Sequence, residues 1–133
     1  MSATTVIRAI LVANAALTAR IPAGRIRLGA LPLGLDLPAI GITSVSGVPR
    51  NTLSMAEPQR LVRERIQVTV YGKTYPELDQ AARLVPQAVK SARGTVAGLL
   101  VRAVIPDIIG PDIEHIDPVI FARSFDFHVF YLQ

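Results

Sequence analysis

The stretch RIQVTVYGKTYPELDQAARLV, residues 65–85, constrains the fold more than any other part of the chain. Ile66, Val68 and Val70 alternate with Arg65, Gln67, Thr69 and Tyr71. That period of two marks a strand with one apolar and one polar face, extending back to residue 61. Gly72 and Lys73 turn the chain, and Thr74 with Glu77 writes a T-x-x-E capping box around Pro76. The helix that follows directs Leu78, Ala81, Ala82, Val85 and Val89 to one side. A strand polar on one face and a helix apolar on one stripe imply a sheet covered by helices on one side only. Pro86 falls late in the helical pattern, so a kink or break is expected near residues 84–85, with a short remainder to about Ala92.

The remaining segments build an α+β layer around this unit. Residues 3–19 read as an amphipathic helix carrying Val6, Ile7, Ile10, Leu11 and Leu17, capped by Ser2 or Thr4 and stopped by Pro22. Short extended pieces follow at 25–28 and 39–45, with Pro32 and Pro38 holding the stretch between them at an edge. Residues 46–60 keep no period and read either as a long loop or as an extended hairpin arm. A strand at 99–105 is expected to end at Pro106, and 108–118 is expected to be irregular and acidic. The last strand, 119–132, puts Phe121, Phe125, Phe127, Val129 and Tyr131 on one face and Ser124, Asp126 and His128 on the other. Arg123 interrupts the apolar face, which predicts a bulge or an exposed strand end there. The expected order is α-β-β-loop-β-α-β-β, two helices on one face of a mainly antiparallel or mixed sheet, in one domain spanning 1–133.

Composition excludes several classes of function. With no cysteine there is no disulfide, thiolate nucleophile or cysteine-based zinc site. No apolar run approaches the roughly 18–20 residues of a membrane span. The signal-peptide-like AILVANAALTA near the start is preceded by no basic region, and Arg8 and Asn14 interrupt the apolar stretch there. Half of the residues are hydrophobic and the mean hydropathy is +0.41, which favours burial against another chain as well as a core. Charge is unevenly distributed: residues 1–103 hold 13 basic and 5 acidic groups, whereas 104–133 hold Arg123 alone against 5 acidic ones. A chain polarised in this way suits head-to-tail stacking on itself or contact with a polyanion. Twelve of the 14 cations are arginine, the residue of bidentate interface contacts.

The chemistry-bearing residues do not assemble into a motif. Ser124 and His128, four apart on one strand face, are separated by roughly 13 Å at the usual strand rise, beyond a nucleophile–base hydrogen bond. Asp126 and His128 are the only plausible catalytic pair. Asp112, Glu114, His115 and Asp117 cluster in sequence without a known ligand spacing. Gly24, Gly29 and Gly34 form no phosphate-binding loop and read as turn residues. Arg60, Arg63 and Arg65 form a basic strip without interleaved aromatics, which permits phosphate attraction and argues against a base-stacking platform. No catalytic, cofactor-binding or metal-ligating residue is therefore expected.

The segment RIQVTVYGKTYPELDQAARLVPQAV resembles the middle of the tail terminator, or tail-completion, proteins of long-tailed phages and prophage-like particles. The matching positions are Val70, Tyr71, Gly72, Thr74 and Tyr75, then Glu77, Ala81 and Val85. IRAILVANAALTARIPAGRI, LPAIGITSVSG and FDFHVFY resemble the family's opening helix and short strand, its second strand and its closing strand. The resemblance implies a virion protein without enzymatic activity. It would form a ring, typically of six copies, that caps the head-proximal end of the tail tube, stops polymerisation and meets the head–neck connector. Implied partners are further copies of the chain, the tail tube protein, a connector protein and DNA passing through the lumen. Candidate interface residues are Arg50, Asn51, Met55, Arg60, Arg63 and Arg65 on the basic side, and Asp112, Glu114 and Asp117 on the acidic side. The alternatives are another head–tail connector ring protein, a small basic nucleic-acid-binding domain, or an enzyme relying on Asp126 and His128.

Overall fold

The fold comes from a computed structural model and is described for residues 3–29, 31, 36–50, 61–89, 94–96, 98–110, 112–116 and 119–132, with backbone alone for 48–50, 108, 114–116 and 119. It is α+β: helices α1 (Ala3–Ala13), α2 (Ala15–Arg20) and α3 (Tyr75–Val89) accompany a mixed sheet. The strands are β1 (Ile26–Leu28), β2 (Ala39–Arg50), β3 (Leu61–Gly72), β4 (Gly94–Val96), β5 (Leu99–Ile109), β6 (Ile113–Ile116) and β7 (Val119–Leu132). Their spatial order is β1-β2-β3-β7-β5-β4, and β6 pairs with β7 beside β5. Only β1 and β2 run parallel; the other pairs are antiparallel.

The alternation in β3 does what its period requires. Val62, Ile66, Val68 and Val70 are buried on the inner face, joined from β7 by Phe125, Phe127, Val129 and Tyr131. Leu78, Ala81, Ala82, Val85 and Val89 of α3 and Val6, Ile7 and Leu11 of α1 complete the same core. Each large apolar side chain buried in this way contributes roughly 1.5–3 kcal/mol. The capping box forms with a small change of partner. Glu77 N–H donates to Thr74 Oγ1 at 3.3 Å, and Glu77 Oε2 accepts from Lys73 N–H at 2.8 Å.

Several expectations are corrected. The opening helix is two helices, because Asn14 leaves helical geometry and its Oδ1 caps α2 by accepting from Leu17 N–H at 3.0 Å. Among the described residues there are thus three α-helices rather than two. Of the kink or break expected at 84–85, the break does not occur: helix α3 continues through Pro86 to Val89. Only its last turn lies beyond the proline, and burial of Ala88 and Val89 holds that turn in place. The proposed loop at 46–60 begins as strand: β2 reaches Arg50, which pairs with Leu61, so the hairpin-arm alternative describes its start. Residues 51–60 lie outside the described set. Strand β5 continues past Pro106 to Ile109. Beyond β4 it has no second neighbour among the described residues, so a missing N–H is tolerated there. The acidic stretch expected to be irregular contains β6.

Gly72 ends β3 where α3 begins. A Cβ there would lie 2.9 Å from Leu78 N and 3.1 Å from its Cα, backbone atoms that cannot yield. Gly72→Ala is expected to destabilise the fold by about 1–3 kcal/mol, whereas Gly24→Ala, with nothing within 4 Å, is expected to be nearly neutral. Paired thermal melts check this contrast.

Candidate interaction surfaces

Three polar clusters stand out among the described residues. The first lies at the end of the inner face, where Arg123 follows the inward phase of β7. No bulge relieves it, since β3 and β7 stay in unbroken register from Leu61↔Leu132 to Gly72↔Phe121. The charge is neutralised instead. Arg123 Nε donates to Asp112 Oδ1 at 2.6 Å, and its Nη1 donates to Asp79 Oδ1 at 3.0 Å. Tyr75 Oη donates to Asp112 Oδ2 at 2.6 Å, and the Arg123 guanidinium lies 5.9 Å from the Tyr75 ring centre. Asp79 also meets Arg83 one helical turn on, at 3.0 Å. One guanidinium therefore ties α3 and the start of β6 to β7.

These contacts move the titrations. The hydrogen bond from Arg123, then that from Tyr75, holds the Asp112 carboxyl down at about 2. The Arg123 bond likewise lowers Asp79, and the bond to Asp112 raises the Tyr75 phenol.

The second cluster lies on the outer face of the sheet. Arg65 Nε donates to Asp126 Oδ2 at 2.9 Å, its Nη2 also bonds that oxygen, and Asp107 stands 3.7 Å away. His128 Nε2 lies 3.1 Å from Asp107 Oδ2. Asp126 thus belongs to Arg65 and His128 to Asp107. Ser124 Oγ lies 3.2 Å from Thr69 Oγ1. The three polar residues of β7 share a face, but each is engaged across the sheet rather than with one another.

The third is a buried pair that the sequence reading passed over. Glu64 occupies an inward position of β3 and accepts a 2.9 Å hydrogen bond from the Tyr131 hydroxyl. Burial first, then the bond and charge of Glu64, push the Tyr131 phenol up to about 12. The available signal was phase: Glu64 stands between Val62 and Ile66 on the apolar side of the alternation, and Tyr131 lies on the matching side of β7.

The candidate interface residues are distributed unevenly. Arg65 and Asp112 are engaged within the chain, as above. Arg63 is half-buried on the outer face, opposite Val48 and Phe130, with no acidic partner among the described residues. Arg50 ends β2 and Glu114 pairs with Phe121 in β6, both described by backbone alone. Asn51, Met55, Arg60 and Asp117 lie outside the described residues. Among the described residues no group of three or more His, Cys, Asp or Glu side chains could hold a metal ion, and no helix is long and apolar enough to cross a membrane.

The polar groups thus tie elements together, while the outer face and parts of both edges of the sheet lack a covering layer among the described residues. That defines a scaffold-type α+β domain. The tail completion protein gp17 family matches residues 5–107, and the chain belongs to that family. It is a structural protein of phage tails. Comparison with curated proteins finds no match. In structure the chain is similar to one from the virion of a native gene transfer agent particle, with a TM-score of 0.71, 11% identity, and coverage of 98% of this chain and 94% of that one. At that identity the likeness is one of fold.

Two outcomes test the clusters. The Asp112 carboxyl lies below its unfolded value near 3.9, so its stabilisation is full above about pH 4 and is lost as pH falls toward 2. Arg123→Ala should return the Asp112 titration toward 3.9 by NMR and cost about 1–3 kcal/mol in urea unfolding. The Tyr131 contribution has the opposite sense: present below pH 10, lost as pH rises through about 12. Tyr131→Phe leaves the Glu64 carboxylate without this donor and should cost about 1–3 kcal/mol, removing the Tyr131 share of the alkaline part of the stability profile; an unchanged profile would contradict the pairing.

Proposed function

We propose that this chain forms a ring that caps the head-proximal end of the tail tube, ends tail polymerisation and joins the tail to the neck. Membership of the tail completion family carries this reading. The polar clusters support it, because the ionisable residues that suggested catalysis have structural partners instead. Asp126 is held by Arg65 and His128 by Asp107. A fold shared with a chain of an assembled virion supports it further.

Six copies, the tube protein and the connector as neighbours, and DNA in the lumen belong to the same proposal. In a ring each copy presents one patch to a different patch of the next, and rotation closes the set. The charge asymmetry of the sequence contributes less to this contact than its arithmetic suggests. Folding already brings Arg65 from the basic part against Asp107 and Asp126 from the acidic part.

Negative-stain electron microscopy of the purified protein, alone and mixed with its cognate tail tubes, tests the proposal. Extra density is expected at one end of each tube, with tubes of defined length when the protein is present during assembly. A monomer that ignores tube ends would overturn the capping role. Steeply salt-dependent DNA binding by that monomer would then favour a nucleic-acid-binding domain.

A further inference from the structure

Among the described residues, exposed large hydrophobic side chains are not scattered evenly. Tyr75 is held at the inner-face cluster by Asp112 and Phe121. The others lie toward the two opposite edges of the sheet. Leu28 and Val45 are on the β1–β2 side; Leu100, Ile105, Ile109 and Ile113 are on the β4–β5–β6 side. Each edge is built in the same way. A three-residue strand covers only part of a long one: β1 covers β2 at 40–42, and β4 covers β5 at 99–101. Beyond these stretches, β2 from Thr43 and β5 from Arg102 have no outer neighbour among the described residues. Val45, 52% exposed, lies on one uncovered stretch, and Ile105, 49% exposed, lies on the other.

The two stretches are level with each other. Ser46 pairs with Arg65, Arg65 with His128, and His128 with Ile105, so one transverse row of the sheet runs from beside Val45 to Ile105. Their directions also suit. Strands β2 and β7 each run antiparallel to β3, and β5 runs antiparallel to β7. Strand β2 is therefore antiparallel to β5. A second copy in the same orientation, shifted sideways by one sheet width, brings its β2 antiparallel to β5 of the first with little slip.

We infer that the outer edge of β2 and the outer edge of β5 are the two halves of one head-to-tail contact between copies of this chain, Val45 of one copy packing beside Ile105 of the next. The partner's identity as a second copy rests on the ring reading. The placement of the contact rests on the two edges. Unlike edges meeting in a constant orientation give a heterologous interface, the kind that closes by rotation. The ladder it can form is short, because Pro106 and register shifts in β5 and the shift at Val45 interrupt both edges. Such interruptions restrain open-ended strand pairing, so burial of the apolar side chains carries much of the contact.

The absence of native cysteine makes a direct test available. Single variants Val45→Cys and Ile105→Cys, distinguished by tag size, are mixed with a short bismaleimide in concentrated solution and on tail tubes. Both positions are about half exposed, so unchanged melts are expected, and Ser46→Cys replaces Val45→Cys if that variant fails to fold. The expected result is a mixed cross-linked dimer at least fivefold above either variant alone, and above Ala16→Cys on α2 mixed with Ile105→Cys. Failure of the mixed dimer to exceed these controls in both settings overturns the edge contact. Density on tube ends in that same sample would leave the capping role standing. Mixed dimers without tube-end density would support the edge contact and count against the capping role.

Discussion

The pairing of β3 with β7 holds the rest of the molecule in place. All 12 residues of β3 face β7 without a slip, from Leu61↔Leu132 to Gly72↔Phe121. Strand register is sensitive, because a one-residue shift sends every side chain to the opposite face. Unbroken register therefore sets the inward phase of Val62, Glu64, Ile66, Val68 and Val70 together with that of Phe125, Phe127, Val129 and Tyr131. It also sets the outward phase of Arg65 against that of Asp126 and His128. Helix α3 packs on this pair, and the close approach at Gly72 fixes where the helix starts.

Within that frame, polar residues on the inner face add specificity. Glu64 and Arg123 both sit at positions that the alternation reserves for apolar side chains. Each is costly to bury alone, and each is placed where the other central strand or α3 supplies a partner. Glu64 meets Tyr131 from β7; Arg123 meets Asp79 from α3 and Asp112 from the entry to β6. A sheet slipped by two residues would keep its apolar face inward yet strand these groups without partners. The polar pairs thus discriminate against wrong registers to which a purely apolar face would be indifferent.

The central part of this architecture was legible in the residues, because it depends on local period. The alternation of β3 and β7, the capping box and the inward stripe of α3 are all written within a few residues of one another. Where the reading went astray, a partner distant in sequence decided the outcome. Arg123 looked like a break in a strand because Asp79 and Asp112 could not be seen beside it. Pro86 looked like a kink or break and Pro106 like a stop, because propensity does not register that one lies near a final helical turn and the other on a stretch of β5 without an outer neighbour among the described residues. Asn14 was counted into a helix although its side chain competes for the backbone. The polar row of Ser124, Asp126 and His128 was read correctly as sharing a face, yet its partners all come from neighbouring strands. Of the candidate interface, Arg65 and Asp112 were legible as charged surface positions but not as internal ion pairs.

Charge and hydrophobicity therefore trade roles between the sequence and the folded chain. Along the sequence, the contrast between a basic first part and an acidic end suggests self-association by charge. In the fold part of that contrast closes on itself, where Arg65 of the basic part meets Asp107 and Asp126 of the acidic end. The features left unmatched are apolar side chains on strand edges only partly covered. An ion pair between exposed groups contributes roughly 0–1 kcal/mol, whereas burying one isoleucine or valine contributes about 1.5–3 kcal/mol. The edges consequently outweigh the charges as a source of cohesion between copies. With only a few such side chains on each edge, a single contact would be weak, and a closed ring would gain its stability from all its contacts at once.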